Sequence, residues 1–212
     1  MKCFLTISFV LLSFLSSSGQ MGSRGQSRPH LNLTRRYVLW FTPTGKNDVV
    51  INGLAIGPMS LSAGKTGSLT INGANLEVVP VAFFTMIGSM FTTMINVAEP
   101  SEYAQQYAIT TRIRGFSLSG GLFEPVEMSG VSLNFNTYAG ISNGVEVSLF
   151  SISNYSFSGA QLSTYGNRSV EGRGLQFGLF NSCQDCTGIQ IGALNRMGNR
   201  VLPLINFRFR KK

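Results

Sequence analysis

Residues 174–181 read Gly-Leu-Gln-Phe-Gly-Leu-Phe-Asn, and residues 188–195 read Gly-Ile-Gln-Ile-Gly-Ala-Leu-Asn. The leading glycine of such units recurs at near-constant spacing, at Gly115, Gly130, Gly144, Gly159, Gly174 and Gly188. Gly53-Leu-Ala-Ile-Gly57 carries the same pattern near the N-terminus, and residues 70–79 offer a poorer copy. A near-constant period, here of about 14 to 15 residues, is the signature of a repeat fold.

The alternation within each unit predicts short strands. Counted from the leading glycine, positions +1, +3 and +5 are apolar, as in Val131 and Leu133, while positions +2 and +4 are polar or glycine. This two-residue period is typical of a strand with one buried face, so we expect positions +1, +3 and +5 to fill the core. Position +6 is often apolar, and Asn181 and Asn195 follow at +7, which predicts a corner. The last unit is shortened, and Asn206 aligns with Asn195.

The repeats predict a mainly β fold. One strand of about seven residues cannot bury its apolar face alone, whereas stacked copies build a continuous core. In a β-solenoid each period is one coil, and equivalent strands stack in parallel. In an antiparallel β-barrel or meander each period is one strand and one turn. The near-fixed spacing and the repeated corners favour the solenoid. The clear alternation lasts about seven residues, whereas strands that cross a bilayer in a barrel need about 9 to 11 residues, and this disfavours the barrel.

The N-terminus has the pattern of an export signal. Lys2 supplies a positive charge, residues 3–15 are apolar, and small residues follow. These features predict a signal peptide over residues 1–19. Residues 20–36 are rich in Gln, Gly, Ser, Arg and Pro and predict a flexible basic leader, which leaves residues 37–212 as one β-repeat domain.

A longer uncharged stretch, residues 78–98, interrupts the repeats. Its larger apolar side chains, among them Phe83, Ile87 and Met94, recur at helical spacing, while Thr, Ser and Asn populate the other side. This amphipathic pattern favours a helix that packs on the repeat domain over one that spans or lies on a membrane. The sequence therefore predicts a helical insertion at about residues 80–109.

Short units of this chain resemble a family of bacterial surface-repeat proteins, which is built on Asn-Gly-Leu-Gln-Ile-Gly-Leu-Phe-Asn-like repeats. The likeness is good over residues 174–207 and around residues 49–57, and it includes the tail Arg200-Val-Leu-Pro-Leu-Ile-Asn-Phe207. It is weaker over residues 115–165. The resemblance implies export and an envelope or surface location, and it brings no catalytic residue.

Residues with chemical potential are few. Cys183 and Cys186 form a C-x-x-C pair, which we interpret as a disulfide candidate, since the other zinc ligands that such a pair would need are missing nearby. The sole histidine, His30, lies in the leader, so no hydrolase triad is credible. Glu124 and Glu127 are the best carboxylate pair for a glycosidase, but two exposed turn carboxylates explain them better.

The net charge of +8 concentrates toward the C-terminus. The basic residues of the last stretch could contact anionic lipid or acidic polysaccharide, or could form a solvated cap against edge pairing; they are Arg196, Arg200, Arg208, Arg210, Lys211 and Lys212. For an exported chain we expect no nucleic-acid partner.

From the sequence we therefore expect an exported, non-enzymatic β-repeat protein of the periplasm, outer membrane or cell surface, with a structural or binding role. We expect no cofactor and no metal site. The alternatives are a small integral outer-membrane β-barrel or pore and a secreted carbohydrate-active enzyme.

Overall fold

The computed structural model describes residues 34–42, 48–57, 68–77, 111–121 and 126–209, and these residues form ten strands. The strands are β1 (Arg35–Phe41), β2 (Val49–Gly57), β3 (Leu69–Glu77), β4 (Thr111–Ser119), β5 (Val126–Asn134), β6 (Thr137–Ser148), β7 (Ser151–Ser163), β8 (Gly166–Phe177), β9 (Phe180–Met197) and β10 (Arg200–Arg208). The predicted signal peptide, the whole of the predicted insertion at about 80–109 and residues 20–33 of the predicted leader lie outside the described residues.

The strands follow one another in space in the order of the chain, and each pair from β1–β2 to β8–β9 is parallel. Equivalent residues of successive units are direct neighbours, since Gly159 pairs with Gly174 and Gly174 with Gly188. This arrangement is a parallel β-solenoid of about seven turns with roughly 15 residues per turn. The solenoid prediction is confirmed over the antiparallel alternative, and no helix occurs among the described residues.

The leading glycines stack on one another from β2 to β9. They form a glycine ladder of Gly53, Gly73, Gly115, Gly130, Gly144, Gly159, Gly174 and Gly188. All eight have positive φ, from 130° to 149°. From Gly73 onward, a Cβ atom would lie closer than 3.0 Å to the carbonyl oxygen of the glycine before it in the ladder, a separation that real side chains do not adopt. Only glycine fits here, both for its φ and for the close approach of the backbones.

The side of the strand that faces inward is the opposite of the predicted one. Positions +2 and +4 are buried, as with Ser132 at 0 % exposed, whereas +1 and +3 point outward, as with Val131 at 41 % and Leu133 at 37 %. Alternation fixes two faces but not which of them is inside. The polar face lies inside because its side chains bond to one another from coil to coil, as described below for the interior ladders.

An apolar core does form, but on the N-terminal side of the ladder. Positions −4 and −2 of strands β2 to β5 are buried. All are apolar except Thr111, and the apolar residues are Val49, Ile51, Leu69, Ile71, Ile113, Val126 and Met128. Tyr37 and Trp40 of β1 pack against this core, with ring centroids 4.0 Å apart.

The predicted corner at positions +6 and +7 is present between successive strands. Phe150, Tyr165 and Phe180 occupy +6 and lie ring against ring, with centroids 4.9 Å and 5.4 Å apart. Asn181 and Asn195 at +7 are buried just beyond the corner.

The last strand departs from the repeat. β10 runs antiparallel to β9 after the turn at Gly198 and Asn199, so Asn206 pairs with Gln190 and not with its counterpart Asn195. Its side-chain nitrogen instead donates to the Asn195 carbonyl oxygen at 3.1 Å. Pro203, which has no N–H, sits where the β9–β10 register shifts, a tolerated place for proline on an edge strand.

We predict that Gly130→Ala strongly destabilises the solenoid. The new methyl group would meet the Gly115 carbonyl oxygen. The fold would also require alanine to adopt a φ of 132°, in a region that alanine avoids. We expect the free energy of unfolding to fall by about 3 kcal/mol or more, measured by denaturant titration with circular dichroism. The neighbouring Ser129→Ala is the control and should change it by less than about 0.5 kcal/mol. Equal effects of the two variants would refute the role of the ladder.

Candidate functional site

A column of glutamines runs through the interior of the last coils. Gln161, Gln176 and Gln190 occupy position +2 of three successive units and are each at most 1 % exposed. The Gln176 amide nitrogen donates to the Gln161 side-chain oxygen at 2.7 Å, and Gln190 donates to Gln176 at the same distance. Identical amides one coil apart satisfy one another, which makes a buried polar column tolerable.

Asparagines form a second column just beyond the corner, at position +7 or +8 of their units. Asn167 donates to Asn181, and Asn181 donates to Asn195, both at 2.8 Å. The same amides also donate to backbone carbonyl groups, as Asn181 does to Ile191 at 2.9 Å. The asparagines therefore hold neighbouring coils together and fix the chain at the bend.

Glu146 occupies position +2 of the coil before Gln161 and is 1 % exposed. Asn154 donates to its Oε2 at 2.6 Å. Burial raises the pKa of Glu146 above the ordinary 4.5, and this effect outweighs the hydrogen-bonding groups around the carboxyl, of which Asn154 contributes most. A carboxyl therefore stands where the next three coils carry an amide.

Cys183 and Cys186 are joined by a disulfide bond, with their Cα atoms 5.7 Å apart. The pair lies within β9 and not in a turn, at positions −5 and −2, and both residues are 1 % exposed. Phe157 completes this small cluster, and its ring fills the space that a side chain at Gly172 would need. The sulfurs are thus part of the interior packing.

Of the two carboxylates that the sequence singled out, only Glu127 belongs to the part of the chain that the structure describes. Glu127 lies on the outward side of β5 and forms an ion pair with Arg112 at 2.8 Å. Glu124 lies outside the described residues. Among the residues that the structure describes, no group of three or more His, Cys, Asp and Glu side chains comes together, and no helix has the length and apolar character needed to cross a membrane.

The basic C-terminal residues bind the last hairpin. Arg196 donates to the Gly198 carbonyl oxygen and Arg208 to that of Met197, both at 2.9 Å, while Arg200 donates to the Phe207 carbonyl oxygen. Arg210, Lys211 and Lys212 lie outside the described residues. These bonds suit a terminal cap, and a contact with an anionic surface stays a prediction.

The outward positions +1 and +3 build a continuous outer apolar face. Register pairing aligns them in two columns across all ten strands. The +1 column comprises Leu39, Leu54, Ala74, Phe116, Val131, Val145, Ala160, Leu175, Ile189 and Phe207. The +3 column comprises Phe41, Ile56, Leu76, Leu118, Leu133, Val147, Leu162, Phe177, Ile191 and Ile205. Phe177 is 51 % exposed and Leu118 48 %, and none of the twenty is polar.

A shallow depression of about 470 Å³ lies beside this face, between the last coils. Its lining mixes Phe157, Phe209, Glu171 and Arg173 with small polar residues. The Glu171 carboxylate accepts a hydrogen bond from Tyr155 at 3.1 Å, which raises the pKa of that tyrosine above 10.0. The charged groups here are spread along the strands and do not assemble a catalytic pair.

The sequence pattern did not predict the outer apolar face, because its apolar residues were expected in the core. A signal was available in Gln161, Gln176 and Gln190. The same large amide at the same position of three successive units is typical of an interior ladder, whereas solvated positions vary freely. Reading those amides as buried would have turned the apolar positions outward.

We predict that Glu146→Gln stabilises the protein near neutral pH. The pKa of Glu146 is higher in the folded state than in the unfolded state. The contribution of its protonated carboxyl to the free energy of unfolding is therefore fully present below about pH 4.5 and is lost as pH rises toward the raised pKa. The variant extends the glutamine column and removes that loss, so at pH 7 its free energy of unfolding should exceed that of wild type by about 1 to 2 kcal/mol. Urea titrations between pH 4 and pH 8 measure both the difference and its slope.

Gln161→Glu is the opposite change and serves as the matched control. It adds a second carboxyl to the same column and should steepen the loss of stability with rising pH. A Glu146→Gln variant with the same pH slope as wild type would contradict the assignment.

The chain matches no protein-family model, and no curated protein and no solved structure is significantly similar to it. No family model therefore supports the resemblance of the short units to the bacterial surface-repeat family. The parallel β-solenoid repeat is the level at which the chain can be assigned.

Proposed function

We propose that this chain is an exported, non-enzymatic structural protein of the bacterial cell envelope that binds through its outer apolar face. The observation that carries the proposal is the continuity of that face, in which two columns of apolar side chains cross ten strands without a polar interruption. Contiguous exposed apolar patches beyond a few hundred Å² are rare on soluble monomers and mark sites of interaction.

The construction of the coils supports a structural role. Main-chain bonds between parallel strands, the glycine ladder and the amide columns all repeat from coil to coil. Each coil contacts its neighbours, so the described coils form a regular stack whose surface repeats along one direction. Such an object is suited to present a long face to a partner.

Export and an envelope location rest on the signal-like N-terminus and on the resemblance of the units to bacterial surface-repeat proteins. An envelope location agrees with the presence of a disulfide bond, since oxidising compartments outside the cytoplasm preserve such bonds.

Cell fractionation tests the location. The full chain, expressed in a Gram-negative cell, should be recovered from the envelope in a form shortened at the N-terminus, as mass spectrometry would show. An unprocessed chain in the cytoplasm would contradict the proposal.

The role of the face is tested by Val145→Asp, which places a charge in the middle of the +1 column. Val145 is 40 % exposed, and we expect the amount retained in the envelope fraction to fall about fivefold or more, because a charge cannot be buried there without a partner. Asn143→Asp is the matched control, since Asn143 lies on the same strand, on the other side of Gly144, and is also exposed. Equal retention of the two variants would show that binding does not use this face.

A further inference from the structure

We propose that the occupant of the outer apolar face is a second copy of this chain, packed sheet against sheet with the two solenoid axes antiparallel. This inference rests on the proposed function, because it names the partner of the same surface.

The size of the face is appropriate for a dimer. Ten strands spaced about 4.8 Å apart make each column roughly 45 Å long. Taken with its margins, the face is about 15 Å wide, so it presents roughly 700 Å². A stable interface buries about 800 Å² per partner, so one copy of this face against another is close to the usual size.

The shape of the face favours a copy of itself. Its side chains stand in straight rows that repeat at the strand spacing, since each +1 residue pairs in register with the next, as Val131 does with Val145. A partner must match this period over the whole length to interdigitate, and a second copy has the same period. Sheets that pack face to face in this way, about 10 Å apart, make the cores of β-sandwiches.

The charges beside the face fix the orientation. Outward positions −1 and −3 form a rim along one side of the apolar columns, which is polar except at residues such as Val50 and Ile141. In strands β1 to β4 the charged residues of this rim are Arg36, Arg112 and Arg114. In strands β5 to β9 they are Glu127, Glu171, Arg173 and Asp185. Arg112 and Glu127 pair with each other, so Arg36 and Arg114 leave the described rim basic toward the N-terminal coils. Glu171 and Asp185 outnumber Arg173 and leave it net acidic toward the C-terminal coils.

A two-fold axis parallel to the strands uses this difference. It keeps the rim of one copy beside the rim of the other and reverses the order of the coils, so each basic half lies over an acidic half. A two-fold axis parallel to the solenoid would place the rim beside the opposite margin and leave the charges unmatched. Complementary charge at the margin selects one orientation, while the apolar columns supply the affinity.

Sedimentation velocity of the purified mature chain is the first test. We expect wild type to have the mass of a dimer and Val145→Asp to have the mass of a monomer, with unchanged circular dichroism. A wild-type chain that stays monomeric at all concentrations would overturn the inference, as would a monomer that binds vesicles containing phosphatidylglycerol through this face.

Charge reversal on the rim is the second test, and it does not disturb the apolar face. Arg114 and Arg173 are both exposed and both precede a ladder glycine. Arg114→Glu should raise the dimer dissociation constant about threefold to tenfold, because it puts an acid over the acidic half, whereas Arg173→Glu should lower it or leave it unchanged. Equal weakening by both variants would overturn the antiparallel orientation.

Failure of this inference and failure of the proposed function are distinguishable. If wild type is monomeric and Val145→Asp is nevertheless lost from the envelope fraction, the partner is another molecule and the proposed function stands. If wild type forms the dimer but remains unprocessed in the cytoplasm, the self-association stands and the envelope function fails.

Discussion

The close stacking of glycine on glycine is the constraint on which the rest of this structure depends. In the ladder each Cα approaches the carbonyl group of the residue one coil earlier, and no side chain can enter that space. The contact fixes the register of neighbouring coils to the residue. Because strands pair with a side-chain period of two, a slip of one residue would exchange the two faces of the coil. The glycine ladder prevents that exchange.

Fixed register explains how a polar interior is sustained. Amide side chains satisfy each other only if they recur at the same height in each coil, as Gln176 does between Gln161 and Gln190. The apolar side chains are thereby left on the outside, in rows equally regular. The inner amide columns and the outer apolar face are two results of one register, and a change in the ladder would affect both.

The repeat period was sufficient to predict the solenoid, because a near-constant interval between glycines describes coils whichever face turns inward. The prediction of the inward face was wrong. Hydrophobicity alone places Val131 and Leu133 in the core, but paired amides can replace an apolar interior. Residues 70–79 were recognised as a poorer copy, but Gly73 was not counted among the leading glycines, since the long stretch between it and Gly115 breaks the period. The reversal of β10 was missed although Gly198-Asn199 is a typical two-residue hairpin turn, because Asn206 was aligned with Asn195 as a further repeat.

The uneven spacing of the ladder also orders the assembly of the chain. From Gly115 to Gly188 each coil is joined to the next by a single short period, whereas the connection from Gly53 to Gly73 is longer and that from Gly73 to Gly115 is the longest of the ladder. Closing a longer connection loses more chain entropy and delays the contact. The C-terminal coils should therefore nucleate folding as one unit, with β9 already shielded by β10, and the N-terminal coils should add to the edge that remains open. Growth then proceeds in one direction, opposite to that in which the polypeptide is synthesised.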